Sequence, residues 1–175
     1  MLTTHPMNPV WAAYNELRTA RLNVKYLQRR LRTLKRVNLS YEIILAIATS
    51  SAVTGFSFLQ AGAGKAIWSG VGVVAVLLSI IKPILNLPEA FQRKQELLAS
   101  YMILDHDLNT VCLDIQIRKA FDEALRGQFA RALERKAELV KKDTDSSVNE
   151  RLRRCCYNEV LAELPADSFY IPTEE

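Results

Sequence analysis

Three sets of side chains in this sequence have the chemistry and spacing to bind or conduct something. The first is cationic. Arg18, Arg21, Lys25, Arg29, Arg30, Arg32, Lys35 and Arg36 lie between Pro9 and Val37 against a single anion, Glu16, so the segment carries +7. That density suits a surface facing anionic lipid or nucleic acid, and equally a solvated helix face beside a membrane. The second set is a polar stripe: at about 100° per residue, Glu42, Ala46, Thr49, Ser50, Val53 and Ser57 share one sector about 100° wide. Ile44, Ile47, Phe58 and Leu59 lie opposite, together with Ser51. A polar stripe on an apolar helix suits a water-filled path, and a carboxylate at its cytoplasmic end would attract cations. The same small residues would also let two helices approach closely, and Glu42 has Lys35, Arg36 and Lys82 as alternative ion-pair partners. The third set is again basic. Arg131, Arg135 and Lys142 recur at helical spacing, and Arg151, Arg153 and Arg154 form a local run. Gathered around a symmetry axis, these groups would hold phosphates. Eleven cations against nine anions between residues 118 and 163 make a solvated surface the plainer alternative.

Nothing in the sequence suggests catalysis. His5 and His106 are far apart, and neither has a metal-ligand companion at helical spacing. Asp105, His106 and Asp107 fit a polar patch on a helix surface. The Gly62-Ala-Gly64-Lys65 stretch lacks both the preceding strand and the following Ser or Thr of a phosphate loop. No enzyme activity, cofactor or metal is expected. Three cysteines exclude a disulfide scaffold. The adjacent pair Cys155 and Cys156 reads as packing residues in a reducing compartment.

These side chains have to be positioned by helices. The chain has 175 residues, and of its 42 charged side chains only Glu42, Lys65, Lys82 and Glu89 fall between Val37 and Gln92. This uncharged block predicts two membrane spans, 39–59 and 66–87, each of about 21 residues and enough for a ~30 Å hydrocarbon core. Residues 60–65 are too few to join them as anything but a hairpin. Eight cations on the N-terminal flank against Lys65 alone in the hairpin loop place both termini in the cytoplasm. A cleaved signal peptide is not expected, because no apolar run begins before about residue 39.

The expected fold is therefore an all-α integral membrane protein in four parts. Residues 1–37 hold a basic amphipathic helix with Val10, Tyr14, Leu17, Val24, Leu27, Leu31 and Leu34 as its apolar stripe. Residues 38–87 hold the hairpin, residues 88–164 a cytoplasmic helical bundle, and residues 165–175 an acidic tail with Phe169 and Tyr170. Within the bundle, Leu97, Tyr101, Leu104, Leu108, Val111 and Ile115 repeat at alternating spacings of four and three, an a/d seam. A following helix from about Arg118 to Lys142 would use Phe121, Leu125, Phe129, Leu133 and Leu139 as its apolar face. A last helix would start from a capping box at Ser147 and Glu150. Two spans cannot enclose a channel, so the seam is expected to join copies into a homo-oligomer, a tetramer being the smallest common pore of two-span subunits.

The layout as a whole resembles a known family. A basic helix with Trp11 and Tyr14, a short two-span hairpin, and an amphipathic helix carrying Pro88-Glu89-Ala90, Leu97-Leu98, Tyr101, Leu104 and Asp107-Leu108 is similar to the SLATT family over residues 9–115. The resemblance implies a two-span, pore-forming effector of bacterial antiphage defence in the inner membrane. It also implies control by a nucleotide or single-stranded oligonucleotide signal from a nucleotidyltransferase-type partner, with ions as the permeant species. It transfers no catalytic residue. The competing expectation is a non-conducting membrane anchor or scaffold that recruits a cytosolic partner through the bundle.

Overall fold

The computed structural model describes residues 9–54, 87–143 and 148–170. Among these the chain is entirely helical: α1 (Pro9–Thr54), α2 (Leu87–Arg118), α3 (Glu123–Lys142), α4 (Glu150–Glu163) and a short 3-10 turn, Ala166–Ser168. α1 is one helix of 46 residues. It opens on Pro9, whose missing N–H falls where no helical partner exists. No glycine or proline interrupts it, and the residue after Thr54 is Gly55. α2 carries Glu89 in its first turn and Arg118 in its last, each at the end its charge favours. The second expected span lies almost wholly outside the described residues, as does the end of the first. No described helix is long and apolar enough to cross a membrane.

The chain divides into two units, one of Met1–Arg29 with Lys94–Glu175 and the other of Arg30–Arg93. In the first unit the N-terminal helix packs as part of the bundle. Val10, Ala13, Tyr14, Leu17, Ala20, Val24 and Leu27 of α1 form one core with the inner faces of α2 and α3. That core contains Tyr101, Leu104, Leu108, Val111 and Ile115, with Leu97 packed at its edge. Leu104 and Leu108 are each 1% exposed and Ile115 0%. The seam expected to join copies thus closes the chain on itself. The reason is geometric: a stripe at heptad spacing needs an apolar stripe opposite it, and α1 supplies one. Fully burying side chains of this size contributes roughly 1.5–3 kcal/mol each.

Two junctions differ from expectation. α2 ends at Arg118 because Lys119 adopts φ 52, the left-handed conformation. α3 then starts afresh at Glu123, where the Asp122 carboxylate accepts from the Leu125 amide at 2.8 Å. The buried face of α3 is Leu125, Ala132 and Leu139, and Leu133 is 37% exposed. At α4 the cap is Asn149, whose side chain accepts from the Leu152 amide at 3.0 Å. Ser147 lies outside the described residues.

Candidate functional site

The first half of α1 is packed on two sides. Opposite its core stripe, Leu22 packs with Cys156 and Val160 of α4, with Tyr26 and Leu152 alongside. Four of the eight cations belong to this stretch, and each has a partner. Arg18 donates to the Leu164 carbonyl from Nε at 3.0 Å and from Nη2 at 2.7 Å, and its guanidinium lies 4.9 Å from the Phe169 ring centroid. Arg21 pairs with Asp105 at 2.7 Å. Lys25 pairs with Glu163 at 2.6 Å and Glu159 at 3.9 Å. Arg29 pairs with Glu159 at 2.5 Å and donates to Cys155 Sγ at 3.1 Å. The Arg29 hydrogen bond holds the Glu159 carboxyl below the usual carboxylate range. Here Lys25 and Arg29 dock α4, Arg18 holds the carbonyl at its C-terminal end, and Arg21 docks α2.

Beyond Arg29 the pattern reverses. Arg32, Lys35 and Arg36 are exposed, with no ion-pair partner among the described residues. The next residues are exposed and apolar: Val37 and Leu39 at 55%, Ile43 at 50% and Ile44 at 48%. Glu42 and Ala46 of the polar stripe are exposed too. Glu42 accepts from Asn38 at 2.9 Å, and among the described residues it pairs with neither Lys35 nor Arg36. Thr49, Ser50 and Val53 lie in α1, and Ser57 is outside the described residues.

The second basic set is not gathered into one site. Arg135 pairs with Asp107, and the neighbouring Lys136 pairs with Glu16 at 2.5 Å. Arg131, Lys142, Arg151, Arg153 and Arg154 are exposed. Arg153 lies about 200° around α4 from Arg151, so the run does not form a single face. The Asp105, His106 and Asp107 cluster is explained by these pairings, since its two carboxylates reach arginines on different helices while His106 is exposed. Among the described residues no group of His, Cys, Asp and Glu could hold a metal ion. Of the cysteines, Cys112 and Cys156 are buried and Cys155 is exposed. Burial pushes the Cys112 thiol up to about 12.

Two features were not anticipated. The first is the tail. Phe169 stacks on Tyr14 with centroids 4.0 Å apart and meets Trp11 edge-on at 6.3 Å. The Tyr14 hydroxyl donates to the Tyr170 carbonyl at 2.8 Å, and Gln116 donates to the Ser168 carbonyl at 3.2 Å. Desolvation leads the causes that push the Tyr14 phenol up to about 12. The available signal was the pairing of Phe169-Tyr170 with the two aromatics of the first helix. The second feature is the outer side of α2. Met102, Ile103, Leu113 and Ile117 are 50%, 53%, 48% and 76% exposed and share a sector of about 100° facing away from the core seam.

Comparison with known protein families, curated proteins and solved structures finds no match.

Proposed function

We propose that the protein is an all-α membrane effector whose copies assemble into an ion-conducting pore controlled from a helical bundle. The observation that carries this reading is the exposure of Val37, Leu39, Ile43 and Ile44 on α1. They lead into an uncharged run from residue 43 to residue 64. Water is an unfavourable neighbour for that much apolar surface, and a bilayer is a favourable one. The resemblance to the SLATT family supports the same assignment and its setting in antiphage defence at the bacterial inner membrane.

Assembly needs a surface other than the seam, which is buried within the chain. The outer face of α2 is the available one. Glu42, Ala46, Thr49, Ser50, Val53 and Ser57 line the conducting path in this reading. Control comes from an anionic signal, a nucleotide or single-stranded oligonucleotide, held by the exposed cations Arg131, Lys142, Arg151, Arg153 and Arg154, while Arg135 is available only when Asp107 releases it. The signal gates the pore only if it binds the open and closed arrangements unequally.

Planar-bilayer recording of the purified full chain tests the reading. Discrete conductance that is blocked by Ser50→Trp or Ser57→Trp, and little changed by Ile44→Trp, is the expected result. A chain that inserts but passes no current would instead be a non-conducting anchor. The exposed apolar side of α2 favours this second reading, because such a face also suits a docked partner.

A further inference from the structure

We infer that Arg32, Lys35 and Arg36 form a binding collar for anionic phospholipid headgroups, which fixes the depth at which α1 enters the bilayer. The inference rests on insertion of α1 into a bilayer and not on the pore lining, because the face it uses overlaps the sector of Glu42 and Ala46; it adds the lipid class and the residues that recognise it.

Three observations carry it. First, seven of the eight cations of the basic segment divide by environment, and the half-buried Arg30 belongs to neither group. Arg18, Arg21, Lys25 and Arg29 are each matched by a carbonyl or carboxylate within the bundle. Arg32, Lys35 and Arg36 are exposed and have no ion-pair partner among the described residues. Bundle stability explains the first group and leaves these three unexplained. Second, the three share a face with the apolar side chains that follow. At about 100° per residue, Lys35, Leu39, Arg32, Ile43 and Arg36 fall within a sector about 100° wide. Leu39 and Ile43 are half exposed. Third, the dimensions agree. From Arg32 to Arg36 the axis advances ~6 Å at 1.5 Å per residue. A headgroup layer is about 5–8 Å thick, half the difference between the whole bilayer and its hydrocarbon core.

Charge complementarity selects the occupant. Unpaired cations directly beside exposed apolar residues match a surface that is anionic outside and hydrocarbon inside. A soluble polyanion would match the cations and leave Leu39 and Ile43 in water. Long Lys and Arg stems can also lie along the apolar boundary with their charges at headgroup level.

The test uses the full chain in phosphatidylcholine vesicles with and without a minority of phosphatidylglycerol. Flotation with pure phosphatidylcholine vesicles tests the membrane reading by itself, and a chain that stays in solution there overturns that reading. For a chain that floats, spin-labelled phosphatidylglycerol should associate more strongly than spin-labelled phosphatidylcholine. Three interfacial cations are together worth on the order of 100-fold in attraction to an anionic surface at low salt. The preference should shrink in high salt, as the Debye length falls. It should be largely lost in Arg32→Gln/Lys35→Gln/Arg36→Gln, a variant that keeps good helix formers and should float and melt like the parent chain. Equal association of the two lipids, or a preference that survives the triple substitution, overturns the collar while leaving the membrane reading in place. Displacement of phosphatidylglycerol by an equal charge of single-stranded oligonucleotide also overturns it, and makes the ligand a soluble polyanion.

Discussion

The first and second halves of α1 are made of similar residues put to opposite uses. Before Arg30, apolar residues are buried on two sides of the helix and four cations are matched by partners. After it, Leu31 is still buried, but Val37, Leu39, Ile43 and Ile44 are exposed and three cations lack ion-pair partners among the described residues. Residues 9–29 and 30–36 are both basic in sequence. A charge count along a helix therefore does not say whether the charges face a membrane or a neighbouring helix. Groups distant in sequence decide that: Glu159 and Glu163 of α4 take Lys25 and Arg29, Asp105 of α2 takes Arg21, and the Leu164 carbonyl takes Arg18, which makes half of the basic segment a packing surface.

The largest expected effect separates the two halves by burial. Leu108→Asp places a carboxylate where the side chain is 1% exposed. It should cost several kcal/mol and unfold the bundle, read as loss of the cooperative thermal transition by circular dichroism. Leu39→Asp should leave that transition within about 0.5 kcal/mol, yet reduce recovery of the chain with floated vesicles. If Leu39→Asp unfolds the bundle as Leu108→Asp does, the proposed division of α1 is wrong.

Next comes alkaline pH. The Cys112 thiol is held neutral up to about pH 12 by burial against the first half of α1, whereas its unperturbed value is 9.0. Its contribution is full below pH 9 and is lost as pH rises toward 12, because only the unfolded chain ionises in that window. Urea midpoints should fall across this range, and Cys112→Ala should flatten the fall. A thiol reagent at neutral pH should modify exposed Cys155 and spare Cys112.

Smaller again is the effect of single cations. Arg29→Gln removes a partly exposed pair with Glu159 and should lower the thermal midpoint slightly, whereas Arg32→Gln should leave it unchanged. The Arg29 pair contributes above the unperturbed Glu159 value of 4.5 and is lost as pH falls through the lower folded value. The stability difference between parent and Arg29→Gln should therefore close in acid. Equal melting of Arg29→Gln and Arg32→Gln at neutral pH would erase the contrast between the halves.

The helices themselves were legible in the sequence. The α1 stripe at Val10, Tyr14, Leu17, Val24 and Leu27 and the α2 stripe at Leu104, Leu108, Val111 and Ile115 are the ones buried in the core. What periodicity could not specify was the partner. A heptad seam reads the same whether it faces another copy or another helix of its own chain, and here α1 fills that role. The α2–α3 junction was misplaced because Lys119, not a glycine, takes the left-handed turn. The docking of the acidic tail was not legible because its hydrogen bonds run from side chains far away in sequence to its own backbone, as with Tyr14 and the Tyr170 carbonyl. The pairing of Arg135 with Asp107 could not be seen without the packing of α3 on α2.

The central claim is that α1 changes solvent along its length, from protein to bilayer. Amide hydrogen exchange along α1 in the vesicle-bound full chain tests it most directly. Residues 9–29 should be protected by the bundle, residues 30–36 should exchange fast at the surface, and residues 37–54 should be protected again by the bilayer. Fast exchange through 37–54, matching that of 30–36, would contradict the account and leave the second half of α1 in water.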